Sequence, residues 1–164
     1  MAKTSGGVRS TRPKSVAERA RDNIVSVLSD IRRQGFSRIS PFKIGSVEKR
    51  MSNYARENGI ELGSRDVYMS SAAIAHATRD SKQTKGLAVS DSDLASFPSR
   101  RKKMDLYYDS TTKNFTYTDG KTKYIVHPNY RLTLPDGKKK VVNFITASKT
   151  DGNEFNQRNY TRIR

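Results

Sequence analysis

Apolar positions recur at three- and four-residue intervals in the first part of the chain and at alternate positions in the last part. Val16, Ala17, Ala20, Ile24, Val27, Leu28 and Ile31 trace one side of an amphipathic helix. Ser15 with Glu18 supplies a capping box at its start, and Gly35 supplies a stop. A shorter helix is predicted from about Ser46 to Glu57, with Val47, Met51, Tyr54 and Ala55 on one face and Lys49, Arg50 and Arg56 on the other. Asn58-Gly59 ends it. The intervening RISPFKIG is expected to be an extended connector, because Pro41 pushes Ser40 out of the helical region. Asp66 to Met69 reads as a short strand leading into a third helix, which Ser70 or Ser71 can cap and which Gly86 ends. Ser90 with Asp93 forms another capping box, opening a helix of one to two turns that runs through Phe97 and is closed by Pro98.

After Lys103 the period becomes that of strands. MDLYYD, NFTYTD, TKYIVH, YRLTLP and KVVNFITAS are short β-branched and aromatic runs, separated by Asp119-Gly120, Pro128-Asn129, Asp136-Gly137 and Asp151-Gly152. The pattern predicts an α+β fold, with N-terminal helices packed on a four- to five-stranded antiparallel β-meander. Three stretches follow from it: a disordered basic arm over residues 1–14, a helical segment over 15–63, and an α+β domain over 64–164.

Composition adds a partner to this picture. Lysine and arginine number 32 against 16 acidic residues, a formal charge of +16 on 164 residues. A field of that size favours a polyanion, and nucleic acid before an anionic membrane, since no basic helix has the strong apolar face that membrane binding needs. No long apolar run and no apolar signal core is present, so the expectation is a soluble protein not exported by that route. With no cysteine and two histidines, neither a thiolate site nor a structural zinc site is expected. No P-loop, dinucleotide fingerprint or paired-carboxylate arrangement stands out, and no cofactor is implied.

The candidate chemistry lies in SSAAIAHATRDSKQTKG, residues 70–86. His76, Arg79 and Lys82 at three-residue spacing would share one side of a helix, with Lys85 at its exit, so that a proton-transfer group sits beside fixed positive charge. The competing assignment is a hydrogen-bonded surface histidine in a salt-bridged segment. His127, before Pro128, reads as a turn residue, although a strand-end position would also let it serve as a second proton-transfer group. Arg100, Arg101, Lys102 and Lys103 form a basic run suited to phosphates. Tyr108, Tyr117 and Tyr124 are candidates for stacking on unpaired bases, with cross-strand core packing as the alternative.

Taken in order, His-x-x-Arg-x-x-Lys (His76, Arg79, Lys82), Gly86, an acid-capped helix from Asp93 to Pro98, the strand Met104 to Asp109, and a strand bearing Thr146 and Ser148 resemble the phage members of the barnase, EndoU, colicin E5/D and RelE group of ribonucleases. The resemblance covers roughly residues 64–164. It implies helices on an antiparallel sheet with an active site across the sheet face, and metal-independent RNA cleavage. It also implies further catalytic groups on the C-terminal strand, Thr146 and Ser148, with Lys149 and Asn156 as alternatives. Such cleavage needs a base for the 2′-hydroxyl, an acid for the 5′-oxygen and cations around the phosphate; His76 fits the first kind of role, Arg79, Lys82 and Lys85 the last, and Lys149, Tyr117 and Tyr124 the binding of the strand. The partners expected are RNA or another nucleic acid, with a capsid or virion protein, or an immunity protein holding a toxic nuclease, as protein partners. A non-catalytic basic protein that binds nucleic acid or belongs to a virion is the rival expectation.

Overall fold

Helix α1 (Val16–Gln34) begins and ends where its caps dictate. Ser15 accepts from the Glu18 amide, the Glu18 carboxylate accepts from the Ser15 amide at 2.9 Å, and Gly35 adopts the left-handed conformation at φ 89°. Its buried side is Ala20, Ile24, Val27 and Leu28. The computed structural model describes residues 12–79, 86 and 88–164. Strand β1 (Phe42–Ser46), helix α2 (Lys49–Glu57), strand β2 (Asp66–Met69), helix α3 (Ser71–Thr78) and helix α4 (Asp91–Arg100) follow. A 3-10 turn (Arg101–Lys103) then leads into β3 (Asp105–Asp109), β4 (Asn114–Thr118), β5 (Thr122–Thr133) and β6 (Lys139–Lys149). A second 3-10 turn (Asn153–Asn156) precedes β7 (Tyr160–Ile163).

The fold is α+β, and the expected meander is present as β3–β6, but the sheet is larger and mixed. Seven strands lie in the order β1-β2-β6-β5-β4-β3-β7, antiparallel except for the β2/β6 pair. The predicted connector around Phe42 is therefore a strand: Phe42 and Ile44 alternate into the core while Lys43 faces away. β2 seats on β6 with Val67 opposite Asn143, whose amide nitrogen donates to the carbonyls of Ser64 at 2.8 Å and Asp66 at 3.0 Å.

Two further expectations change. Pro98 lies inside α4 rather than after it; the helix loses one amide there but resumes at once, because the Arg101 amide donates to the Phe97 carbonyl. TKYIVH and YRLTLP are one strand, not two, and Pro128-Asn129 is a bulge within it, marked by the register break between His127 and Tyr130 and by Asn129 at φ 59°. The Asp-Gly turns at Gly120 and Gly137 do hold positive φ, as hairpin turns need.

One face of the sheet is buried under α1 and its neighbours. Leu106, Phe115, Tyr117, Tyr124, Val126, Ile145 and Ala147 alternate onto it and form one cluster with Ala20, Ile24, Leu94 and Phe97, so the helical N-terminal stretch and the strands share a core. Phe97 stacks on Tyr124 with ring centroids 4.0 Å apart. Burying aromatic rings and aliphatic chains on this scale is the main stabilising term. The exception to its apolarity is a clasp in which the Tyr117 hydroxyl donates to Glu48 and Arg101 donates to the Ser46 carbonyl at 2.6 Å. Burial pushes the Tyr117 hydroxyl well above the ordinary tyrosine range, so it remains a donor.

Candidate nucleic-acid interface and active site

The opposite face of the sheet collects the polar chemistry. In β5 and β6, Lys123 lies opposite Ser148, Ile125 opposite Thr146 and His127 opposite Phe144, and strand alternation sends all six away from the helices. His127 and Thr146 meet: the ring Nε2 and the hydroxyl are 2.9 Å apart. His127 is half-buried, and that burial lowers its pKa below the ordinary histidine value. It is therefore neutral at neutral pH, with one ring nitrogen engaged by Thr146.

The second 3-10 turn covers the β3/β4/β7 half of this face. Phe155 stacks on Tyr107 at 4.8 Å and meets Tyr160 at 4.9 Å, while Lys123 is spent on Glu154 at 2.9 Å. The other half, over β5, β6 and β2, has a small apolar floor of Leu132, Val142 and Phe144 with Tyr68 and Ala73 against it. Tyr130 stacks on Phe144 at 4.6 Å and keeps 42% of its surface exposed. Lys140 sits 5.4 Å over the Tyr68 ring and 3.2 Å from Asp66, which also holds Lys43 at 3.0 Å.

The helix that carries His76 is shorter than its spacing promised. α3 stops at Thr78, whose hydroxyl donates to the Ile74 carbonyl, and Arg79 is already extended at ψ 156°. His76 and Arg79 are thus not aligned on one helical face; Lys82 and Lys85 lie outside the described residues. α3 packs against β6 and α1. His76 is exposed one turn after Ala73, which packs on the Phe144 cluster, so it emerges on the side of α3 that borders the open sheet face. Arg79 turns the other way, into a cleft with Leu28, Ile31 and Gly35 at the end of α1.

Several expected nucleic-acid contacts are placed elsewhere. Tyr117 and Tyr124 are 1% and 0% exposed, so neither ring offers a face to a base; they are register partners on the face of the sheet that the helices cover. Tyr108 shares that side and packs on Phe115 at 5.1 Å. Arg101 is 4% exposed and belongs to the clasp beneath β1. Arg100 leans on Asp93 at 3.7 Å and Asp119 at 3.8 Å, whereas Lys102 and Lys103 are exposed. Lys149 pairs with Thr122 and so projects from the helix-covered side, opposite to Ser148. The structure brings Thr146 together with His127, which the sequence placed at a turn, while Ser148 shares their face but lies opposite Lys123, four positions along β6 from the register partner of His127. The signal was there: His127 is out of phase with the core residues Tyr124 and Val126, and a bulge could have been read in Pro128-Asn129 as readily as a turn.

A cleft of about 700 Å³ between α1 and α4 is lined by Arg21, Val25, Leu28, Arg32, Asp91 and Ala95, among others. Its lining includes no histidine. Among the described residues no group of three or more His, Asp or Glu side chains converges as a metal site requires, and no helix is long and apolar enough to cross a membrane. Comparison of the chain with protein-family models, curated proteins and solved structures found no match.

Proposed function

We propose that the protein is a metal-independent endoribonuclease acting across the open sheet face, with His127 and Thr146 at the centre of the site. The observation that carries this reading is the 2.9 Å contact between a neutral, half-buried histidine and a threonine hydroxyl on a face bordered by a second histidine, His76. When Nε2–H donates to Thr146, the Nδ1 lone pair is left to accept the proton of a ribose 2′-hydroxyl. The 2′-oxygen then attacks the adjacent phosphorus, the bond to the 5′-oxygen breaks, and that oxygen takes up a proton, for which His76 is the donor. The products are a 2′,3′-cyclic phosphate and a free 5′-hydroxyl. Ser148 lies one alternate position beyond Thr146 and contributes a hydroxyl to the strand's path. The net charge of +16 supports a polyanionic substrate.

The test is incubation of the protein with total RNA in EDTA, followed by end-group analysis. The wild type should leave 2′,3′-cyclic phosphate ends. His127→Ala should lower the rate by roughly a hundredfold or more, the usual contribution of a general acid or base. His76→Ala should do the same, and Thr146→Val less. Intact RNA under conditions where it is bound would sink the catalytic reading in favour of a non-catalytic nucleic-acid-binding protein.

A further inference from the structure

Tyr130 is an aromatic ring that the fold takes some trouble to present. From His127 to Tyr130 the chain of β5 advances three positions, while its partner β6 goes from Phe144 to Val142, only two. Without the extra residue, strand alternation would turn Tyr130 to the helix side; the bulge keeps it on the face of His127. The bulge is held from outside. Asn129 adopts positive φ and its amide nitrogen donates to the Glu61 carbonyl at 2.8 Å, while the Gly63 amide donates to its Oδ1 at 2.6 Å. One side of the Tyr130 ring then rests on Phe144, and the residue stays 42% exposed.

The spacing matters as much as the orientation. Two residues of β6 separate the register partner of His127 from that of Tyr130, roughly 7 Å along the strand. That is a length an extended nucleotide spans. Beyond Tyr130 the same face continues to the Leu132/Lys140 pair, which places a cation next along the path.

We propose that Tyr130 is the stacking platform for an unpaired nucleobase immediately adjacent to the phosphate at His127, making single-stranded RNA the substrate class. This rests on the nuclease reading of the same face. Phe144 backs the ring, so a base added on its open side extends a stack already begun, and stacking discriminates little among bases because each has a π-face. Tyr130 thus positions the strand and takes no part in proton transfer.

The experiment measures binding of a fluorescein-labelled single-stranded RNA that is 2′-O-methylated throughout, so that the 2′-oxygen cannot attack. Tyr130→Ala should weaken binding by about tenfold, the usual worth of one stacked base, and Tyr130→Trp should keep it. Tyr130→Leu, which still covers Phe144, should behave like Tyr130→Ala and so separates stacking from folding. On the wild-type protein, one abasic nucleotide walked along the strand should reproduce the loss at a single position. Unaltered affinity in Tyr130→Ala, an abasic scan without a sensitive position, or no binding at all would overturn the proposal. Tyr130-dependent binding by a protein that leaves ribose RNA intact would preserve the stacking site and remove the nuclease reading.

Discussion

His127 owes its position to its buried neighbours in β5. Tyr124 and Val126 are drawn into the core, and the pleat of β5 then turns the residues between and beyond them to the other face. Thr146 completes the arrangement from the neighbouring strand. Burial lowers the His127 pKa from its ordinary 6.5, which gives a pH signature in stability. Above about pH 6.5 both folded and unfolded states hold the ring neutral, so the group costs nothing. As pH falls below that value the unfolded chain takes up the proton first, and stability declines until the lowered folded-state pKa is passed. Urea unfolding followed from about pH 7.5 to about pH 5 should therefore show a loss in the wild type that is smaller in His127→Gln. Equal losses in both would mean that the ring is not desolvated. Residue chemistry was the least legible level of the sequence: Thr146 and Ser148 enter it only through a family resemblance, while Tyr117 and Tyr124 read equally as stacking or as core rings, because composition does not state which phase of a strand faces the helices. His76 and Arg79 failed as a pair because three-residue spacing implies a shared face only while the helix lasts.

Elements were easier to read than residues, wherever a side chain closes a defined hydrogen bond. Ser15 and Glu18, Ser70, Ser90 and Gly35 all cap as their chemistry requires, since an unpaired helix end has few other ways to be satisfied. Strand β1 was missed because its partner β2 comes some twenty positions later, beyond the reach of local pattern. The β5 bulge was missed for a related reason: the carbonyl of Glu61 and the amide of Gly63 that hold Asn129 are distant in sequence. Its energetics can be dissected. Asn129→Gly retains easy access to positive φ but loses the side-chain bonds, and should cost about 1–2 kcal/mol. Asn129→Ala adds the left-handed penalty of a Cβ and should cost about 1–2 kcal/mol more. Chemical denaturation of the two variants checks the order; a reversal would show that Asn129 is held by something other than its backbone conformation and these two bonds.

The molecule as a whole carries its cations unevenly between work and balance. Arg32, Arg33, Lys14 and Arg162 are matched to acids in exposed pairs, which contribute little to stability. Lys102, Lys103, Arg131, Lys138 and Lys139 are exposed, the last three in or beside the β5–β6 hairpin. Binding to single-stranded RNA should weaken linearly in log affinity against log salt, and Lys140→Ala, on the face of Tyr130, should reduce the slope by about 0.7 if that lysine touches a phosphate. An unchanged slope would put the strand's path elsewhere. The seating of β2 on β6 has a consequence for how such a chain comes into being. A chain made from its N-terminus offers the β1–β2 hairpin long before Asn143 exists to grip Ser64 and Asp66, so one rim of that hairpin waits with its amides and carbonyls unmet. Pairing across so wide a stretch closes late and slowly. Strand β6, which bears Thr146 and pairs with the strand of His127, is also the one the waiting hairpin needs, so the emerging chain completes its sheet and the His127–Thr146 contact in the same step.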